Sequence, residues 1–259
     1  MKIATWNVNS LRVRLNHVLN WISTHQPDIL CLQETKITDA DFPLDEIRQA
    51  GYVAVYAGQK TYNGVAILSR MPAEEVEGNI HGLSAEQKRM ISATYGELRV
   101  LNVYVPNGQT VGSEKYAYKL DWLDRLTAYI AEQLKRYPQL ALLGDFNIAP
   151  AERDVHDPVM WEGSVLFSDK ERAAFRMLLG TGLIDVFRKF EQPPNSFTWW
   201  DYRVGAFRRD LGLRIDHILC SAPLSDKCTG CTIDKEPRRR ERPSDHAPVL
   251  AEFAIDDGG

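Results

Sequence analysis

Nine short runs of apolar, β-rich residues, each bounded by Gly, Pro, Asn or Asp, most constrain the fold of this chain. Between them, apolar residues recur at spacings of three and four, which predicts helices at 11–22, 123–134 and 170–179. The glycines of 180–182 end the last of these. Many short strands with few helices predict two β-sheets packed face to face, with the helices outside. The nine runs are 2–8, 28–33, 52–57, 64–69, 91–95, 99–105, 140–144, 215–220 and 248–253.

The distribution of these runs predicts a single domain over residues 1–259, because the first begins at residue 2 and the last ends near Phe253. Residues 255–259 are expected to form a short flexible tail. A length of 259 residues is ordinary for one α/β domain, and 44% hydrophobic with 25% charged residues indicates a globular chain. No apolar run is long enough to span a bilayer, and the first residues lack the apolar core of a signal peptide. We therefore expect a cytoplasmic protein that does not bind membranes.

The net charge of −4 excludes a cationic coat of the kind that binds nucleic acid in bulk. A local basic face beside an acidic cleft remains compatible with that charge. Cys228 and Cys231 have the C-x-x-C spacing of zinc and redox sites, but zinc needs four ligands and no second pair is visible. The sequence favours buried structural thiols.

Polar clusters follow several of the predicted strands, and this is where open α/β sheets place their sites. Magnesium prefers oxygen ligands, and this chain offers carboxylates and amides at those strand ends. Taken singly, each has a structural alternative, since Asn is a common turn former and Asp or Glu often ends a strand in solvent. The candidate oxygen ligands are Asn7, Glu34, Asp145, Asn147 and Asp245.

Taken together and in order, the motifs W-N-V-N, L-Q-E-T-K, Y-V-P-N-G, G-D-F-N-I-A-P, F-T-W-W-D-Y-R, G-L-R-I-D and S-D-H-A-P resemble one family. They are similar to the exonuclease III and apurinic/apyrimidinic endonuclease branch of the endonuclease/exonuclease/phosphatase superfamily, from residue 1 to about 253. The resemblance implies a four-layer α/β sandwich of two mixed β-sheets. It also implies a Mg²⁺-dependent DNA-repair phosphodiesterase, with Mn²⁺ able to substitute. The implied activities are 3′-to-5′ exonuclease or 3′-end trimming and abasic-site cleavage.

The resemblance implies a metal site and a catalytic group that share residues. Asp145 would align or deprotonate the attacking water, and Asp216 would orient and charge His246 for donation to a phosphate oxygen. Asn9 stands where some relatives carry an acidic residue, so no ligand is expected there. Metal ligands are implied at Asn7, Glu34, Asp145, Asn147, Asp245 and His246, and catalytic roles at Tyr104, Asp145, Asn147, Asp216 and His246.

The implied partner is double-stranded DNA with abasic sites or 3′ ends, bound by a monomer. Trp199 resembles a wall of the pocket for the sugar, with Leu213 where some relatives carry a second aromatic wall. The basic run 235–243 is open to two interpretations, a contact for the DNA backbone or a solvated loop. Apolar residues of 160–168 are expected near the DNA end or lesion. DNA contacts are implied at Asn107, Lys60, Tyr62, Trp199 and Arg203.

Three alternatives compete with this interpretation. A phosphoesterase of the same fold could act on lipid head groups or other small phosphoesters, although the F-T-W-W segment argues against it. A degenerate relative could bind nucleic acid or protein without catalysis, which would predict loss of residues such as Glu34 and Asp145. A purely structural scaffold has no positive feature in its favour.

Overall fold

Two six-stranded β-sheets form the centre of the computed structural model, which describes residues 1–80, 83 and 86–255. The strands are β1 (Lys2–Asn7), β2 (Ile29–Gln33), β3 (Val53–Ala57), β4 (Val65–Ser69), β5 (Glu74–Glu77), β6 (Met90–Tyr95), β7 (Leu98–Tyr104), β8 (Gln139–Asp145), β9 (Leu183–Asp185), β10 (Asp216–Ser221), β11 (Cys228–Ile233) and β12 (Val249–Phe253). The α-helices are α1 (Leu11–His25), α2 (Leu44–Gln49), α3 (Glu114–Arg136), α4 (Pro158–Trp161), α5 (Asp169–Leu179) and α6 (Ala222–Ser225). Short 3-10 helices cover Asp39–Asp41, Glu152–Asp154, Val186–Lys189, Arg203–Gly205 and Glu236–Arg239.

The two sheets repeat one pairing pattern. The first has the order β11-β12-β1-β2-β4-β3 and the second the order β5-β6-β7-β8-β10-β9. Each contains one parallel pair, β1 with β2 and β7 with β8, while the other neighbours are antiparallel. The prediction of two mixed sheets is therefore confirmed, and all nine predicted strands are present within one or two residues of their expected bounds.

Apolar clusters on both faces of each sheet define four layers. The inner faces pack on each other through residues such as Ile3 and Cys31 from one sheet and Val100 and Leu143 from the other. Helix α1 covers the outer face of the first sheet, and α3 and α5 cover that of the second. Strands buried on both faces carry few polar residues, which is why β2 reads as a continuous apolar run. The four-layer α/β sandwich is confirmed.

The C-terminal end of the chain returns to the first strand. Strand β12 pairs antiparallel with β1, and the backbone nitrogen of Phe253 donates to the carbonyl of Met1. Ile255, the first residue of the expected tail, packs against the core between the sheets. Residues 256–259 lie outside the described part of the chain. Within the described residues, no helix has the length and apolar character needed to cross a membrane.

A buried polar bridge joins the two sheets at one edge. The amide nitrogen of Gln33 on β2 donates to Asn102 on β7 at 2.7 Å, and the Asn102 amide donates back to the carbonyl of Leu32 at 2.9 Å. Both side chains are fully buried, so losing these hydrogen bonds would lower the stability of the fold. The bridge holds the carboxyl ends of the two parallel strand pairs next to each other.

Candidate active site

The predicted polar residues meet at this shared edge. Asn7 ends β1, Glu34 follows β2, Tyr104 ends β7 and Asp145 ends β8. Because parallel neighbours end at the same edge, each sheet contributes two of these side chains. The backbone turns sharply beyond the strands, with positive φ angles of 50° at both Glu34 and Asn147. Such angles are uncommon outside glycine and are found where the surrounding structure enforces them.

Asp145 lies at the centre of the cluster and is 1% exposed. Its Oδ2 accepts from the amide of Asn7 at 2.8 Å, and its Oδ1 accepts from the backbone nitrogen of Asn147 at 2.9 Å. Burial raises the pKa of Asp145 to about 7, with Asp216 acting in the same direction and the positive charge of His246 opposing it. A carboxyl group in this range exchanges protons near neutral pH.

His246 lies between two carboxylates. Its Nδ1 is 2.9 Å from Oδ2 of Asp216, and its Nε2 is 3.8 Å from Oδ2 of Asp145. Burial alone would lower the pKa of His246, but Asp216 and Asp145 outweigh it and raise the value to about 10. The ring is therefore an imidazolium at neutral pH. The backbone of His246 is fixed by Ser244, whose Oγ accepts from its nitrogen at 3.2 Å and donates to the carbonyl of Asn7 at 2.6 Å.

Glu34 and Tyr104 form the more open side of the cluster. Glu34 accepts from the amide of Asn7 at 2.9 Å and pairs with Lys36 at 2.8 Å. Burial raises the pKa of Tyr104 well above its ordinary value, and the negative charges of Glu34 and Asp145 add to this effect. The phenol is therefore a neutral hydrogen-bond donor. The guanidinium of Arg89 packs over its ring at 4.8 Å.

Three side chains of the cluster have the spacing of a metal site. Ligand atoms of Glu34, Asp145 and His246 all lie within 4.8 Å of one another. Carboxylate oxygens are the donors that Mg²⁺ prefers, whereas an imidazolium has no free lone pair for a metal. In Asn7 the amide hydrogens face both carboxylates, and its oxygen accepts from the backbone nitrogen of Asn9 at 3.0 Å. The two carboxylates are the donors that fit the cation best.

Asp245 lies apart from this trio of ligand atoms. One of its oxygens accepts from the indole of Trp199 at 3.0 Å and the other from the amide of Asn9 at 2.9 Å. Burial opposes ionisation of Asp245, but the charge of His246 and these hydrogen bonds lower its pKa. The carboxylate therefore orients Trp199, and each of its oxygens already accepts one hydrogen bond.

The aromatic segment around Trp199 divides into core and surface. Phe197 and Trp200 are 1% and 0% exposed and belong to a buried cluster, whereas Trp199 is partly exposed. The backbone of Trp199 bridges to Leu213 on one side and to His246 on the other. Trp199 therefore stands beside the imidazolium, and the fully buried Leu213 packs behind it.

The remaining predicted DNA contacts surround the cluster. The amide of Asn107 donates to Oδ1 of Asn147 at 3.3 Å, which brings it into the site. Tyr62 is 68% exposed and lines a cleft of about 350 Å³ that runs from Glu34 and Tyr104 to Arg89. The exposed Lys60, whose carbonyl accepts from the backbone nitrogen of Tyr62, is adjacent.

The charged groups of Arg203 and of the basic run 235–243 differ in their exposure to solvent. The exposed guanidinium of Arg203 pairs with Asp201 at 2.7 Å. In the basic run, Arg238 is only 6% exposed, donates to the carbonyl of Ser244 and packs on the ring of Phe207. Arg238 thus braces the loop that carries His246 instead of facing solvent, while 240–242 stay on the surface.

The apolar residues of 160–168 are only partly where we expected them. Leu166 and Phe167 are 5% and 0% exposed and form a core cluster with Leu213. Val159 and Met160 on α4 are 88% and 60% exposed. The exposed apolar surface of this region therefore lies on α4, and the later part of the loop is core.

Sequence reasoning missed two buried charged residues behind the site. Lys119 on α3 and Glu171 on α5 form an ion pair, and the Lys119 ammonium also donates to the carbonyl of Asn147 at 2.7 Å. A signal was present, because Lys119 falls at helical spacing with the buried Tyr116, Leu123 and Leu126. A lysine on an otherwise apolar helix stripe indicates a buried partner.

The cysteines are structural. The thiols of Cys31, Cys220, Cys228 and Cys231 are all buried and free. Burial raises the pKa of each thiol. A thiol held in its neutral form is a poor nucleophile and a poor metal ligand.

Comparison with known proteins places the chain in a family. Residues 4–246 match the Endonuclease/Exonuclease/phosphatase family. The chain therefore belongs to that family, as its motifs predict.

Relatives of known function extend this result. Exodeoxyribonuclease III of Haemophilus influenzae is 35% identical, over 98% of this chain and 100% of its own length. The DNA repair nuclease APEX1 of Danio rerio is 32% identical, over 98% of this chain and 83% of its own length. Among solved structures, the 3′ phosphatase NExo of Neisseria bound to a product DNA hairpin has a TM-score of 0.96 and 46% identity, covering 98% and 100% of the two chains. An AP endonuclease of Archaeoglobus fulgidus has a TM-score of 0.94 and 41% identity, also covering 98% and 100%.

Proposed function

We propose that this protein is a metal-dependent DNA-repair hydrolase that removes nucleotides or blocking groups from 3′ ends and cleaves DNA at abasic sites. One observation carries the proposal: the Asp145 carboxylate is held by Asn7 and Asn147 and lies 3.8 Å from the imidazolium of His246. An acceptor for a water proton and a cation for a phosphate oxygen thus face the same small space. The names of the relatives, an exodeoxyribonuclease, a 3′ phosphatase and an AP endonuclease, support DNA as the substrate.

Mg²⁺ is the proposed cofactor, held by Glu34 and Asp145, and Mn²⁺ would substitute. When bound, the cation supplies positive charge that offsets the negative charge growing on the phosphate oxygens. Asn7 spaces the two carboxylates by donating to both, which limits their mutual repulsion. Asn147 and Asp245, with their hydrogen bonds to neighbouring side chains, are proposed as outer residues that shape the metal site.

Asp145 is the proposed group that aligns the attacking water and accepts its proton. Burial and the neighbouring Asp216 raise the pKa of Asp145 above its ordinary value, and a more basic carboxylate is a stronger proton acceptor. Its two oxygens are fixed by Asn7 and Asn147, so the orientation of the carboxylate is set before substrate arrives. Asn147, held in turn by Asn107, supports the same water and the adjacent phosphate oxygen.

His246 and Tyr104 are the proposed donors to the phosphate. The imidazolium of His246, held by Asp216 at 2.9 Å, presents a fixed positive charge where a pentacovalent phosphate gains negative charge. Tyr104 keeps its proton because burial, and then the negative charges of Glu34 and Asp145, raise its pKa, so it can donate to the phosphate or the leaving oxygen. Because Asp216 holds Nδ1 of His246, and the carboxylates of Glu34 and Asp145 are better donors for Mg²⁺, we favour this role for His246 over that of a ligand.

DNA would cross the edge of the sheets between two groups of residues. One group is Lys60 and Tyr62, at the cleft beside Tyr104. The other is Trp199 and Arg203, on the segment that bridges to His246, and Asn107 adds a contact through Asn147. Trp199 is oriented by Asp245 and flanks His246, which suits a wall against the sugar of a damaged nucleotide. A single domain over residues 1–259, a monomeric state and a cytoplasmic location all remain predictions.

The direct test compares DNA substrates under one set of conditions. Duplexes with an internal abasic site, a 3′-phosphate, a 3′-phosphoglycolate and an undamaged 3′ end are incubated with Mg²⁺, with Mn²⁺ or with chelator. We expect metal-dependent cleavage of at least the 3′-terminal substrates, and loss of it with chelator. Absence of cleavage on all four with either metal would refute the proposal.

A variant separates catalysis from binding. We expect Asp145→Asn to lower kcat by at least about 1,000-fold while DNA binding is retained, because the proton acceptor is lost. A non-catalytic binder would show no activity to lose. A phosphoesterase of the same fold with another substrate would hydrolyse small phosphoesters faster than any of the four duplexes.

A further inference from the structure

A buried ion pair between α3 and α5 lies directly behind the proposed catalytic residues. Lys119 and Glu171 are both 0% exposed, and their charged groups are in direct contact. Removing two charges from water has a large free-energy cost, so a buried ion pair of this kind contributes little net stability to the fold. Positioning of neighbouring groups accounts for this buried pair better than stability does.

Every proton of the Lys119 ammonium has an acceptor. One goes to Glu171, one to the carbonyl of Asn147 at 2.7 Å and one to the carbonyl of Asn107 at 3.1 Å. Asn147 has the left-handed φ of 50°, and its buried carbonyl is paired by the Lys119 ammonium, as a buried carbonyl needs to be. Lys119 therefore fixes the backbone of two residues whose amides meet in the active site.

Glu171 makes the equivalent contacts on a different segment. Its Oε1 accepts from the backbone nitrogen of Leu166 at 3.0 Å, and its Oε2 accepts from the backbone nitrogen of Ser168 at 3.0 Å. Ser168 also caps α5 by a reciprocal exchange with Glu171. The carboxylate thus anchors the end of the loop 162–168, which follows α4 and its exposed surface.

Resting on the proposed function, we infer that Lys119 and Glu171 are positioning residues. They connect the backbone of Asn147 and Asn107 to the loop 162–168. The residues that align the water and the surface proposed to lie beside the DNA end are thereby held at a fixed distance from each other. Neither residue touches substrate, because both are fully buried. Their effect on the reaction passes through Asn147.

The test compares Lys119→Met with a matched control at another buried cation. Arg99 is also 0% exposed and pairs with Glu77, but it lies at the opposite end of β7 from Tyr104. Both Lys119→Met and Arg99→Met are expected to lower Tm. At a temperature where both are folded by circular dichroism, we expect kcat to fall about 30-fold or more in Lys119→Met, with KM changed less than about threefold, while Arg99→Met keeps kcat within about twofold. An equal effect of the two variants on kcat would overturn the inference.

A second measurement does not depend on activity or on the stability of Lys119→Met. In Glu171→Gln, hydrogen exchange is followed at 145–148, which Glu171 reaches through Lys119. Ala149 is left out because its backbone nitrogen donates to the carbonyl of Leu166, which Glu171 holds directly. We expect exchange there to accelerate at least about tenfold, together with exchange at 166–168. Acceleration confined to 166–168 would show that the pair does not connect the two segments. If the wild-type protein cleaved no DNA, the proposed function would fail, and this measurement would still decide the linkage.

Discussion

The Nδ1 atom of His246 lies 2.9 Å from Oδ2 of Asp216, and both residues are buried. Asp216 begins β10 in one sheet, and His246 precedes β12 in the other. This hydrogen bond therefore joins the two sheets and also holds the histidine in its charged form. One contact therefore serves both the packing of the sheets and the proposed catalytic role of His246.

Replacement of Asp216 should make it easier for His246 to lose its proton. Asp216 and Asp145 raise the pKa of His246 to about 10, so Asp216→Asn should lower it and bring forward the loss of activity with rising pH. We also expect kcat to fall about 100-fold, because one charged donor to the phosphate is lost. The measurement is kcat against pH. Asp234→Asn is the control, because Asp234 pairs with His25 at 3.1 Å on the other side of α1, and it should leave the profile unchanged.

The two acidic candidates for metal binding should respond differently. Glu34→Gln should raise the Mg²⁺ concentration needed for half-maximal activity by about tenfold or more, because a direct oxygen donor loses its charge. Asp245→Asn should instead raise KM for DNA, because Asp245 orients Trp199. Titration of activity with Mg²⁺ at several DNA concentrations separates the two. A larger metal effect from Asp245→Asn would identify Asp245 as a ligand.

Gly144 should tolerate no side chain. It has a φ of 146°, and a Cβ atom there would lie 1.9 Å from the carbonyl oxygen of Val103 on the neighbouring strand. We expect Gly144→Ala to lower the free energy of unfolding by more than about 3 kcal/mol. Gly230→Ala is the control, since its Cβ would meet nothing within 4 Å, and it should change stability by less than about 1 kcal/mol. Urea unfolding measures both.

His217 should make the protein sensitive to acid. Its Nδ1 accepts from Arg214 at 3.0 Å and its Nε2 donates to the carbonyl of Ile148 at 2.8 Å, so the folded state holds the neutral ring. Burial, aided by Arg214, lowers the pKa of His217 from 6.5 to about 4. As pH falls below 6.5 the unfolded chain binds the proton first, so the free energy of unfolding should drop by up to about 3 kcal/mol by pH 4.

The variant His217→Asn tests that assignment. Asparagine can keep the acceptor facing Arg214 but does not titrate. The slope of unfolding free energy against pH should therefore become shallower between pH 4 and 6.5 than in the wild-type protein. An unchanged slope would mean that other groups cause the acid sensitivity.

The sequence predicts strands well where both faces are buried and poorly where they are not. Strands such as β2 and β8 are continuous apolar runs, and their ends locate the acidic residues. Strand β5 has the sequence Glu-Glu-Val-Glu and lies at a sheet edge, where Arg99 and Arg136 pair with its carboxylates. Only the folded structure reveals those partners. The three-residue β9 is too short to show a period.

The same contrast holds for the site. Residues at strand ends were predictable, because the apolar runs before them are clear. The burial of Arg238 was not, because a run of basic residues gives no indication that Trp200 and Phe207 would receive one of them. The directions in which side chains point were not predictable either, because nothing in the sequence indicates that the Asp245 carboxylate faces Trp199 and Asn9. Such details depend on contacts between segments that are far apart in the chain.

The pairing of β1 with β12 has a consequence for the nascent chain. Asn7 and Glu34 emerge early in synthesis, whereas His246 is among the last residues before β12. A ribosome-bound intermediate therefore contains half of the reactive cluster without its cation. Competence to cut a phosphodiester would be acquired only after His246 has been synthesised and β12 has paired with β1.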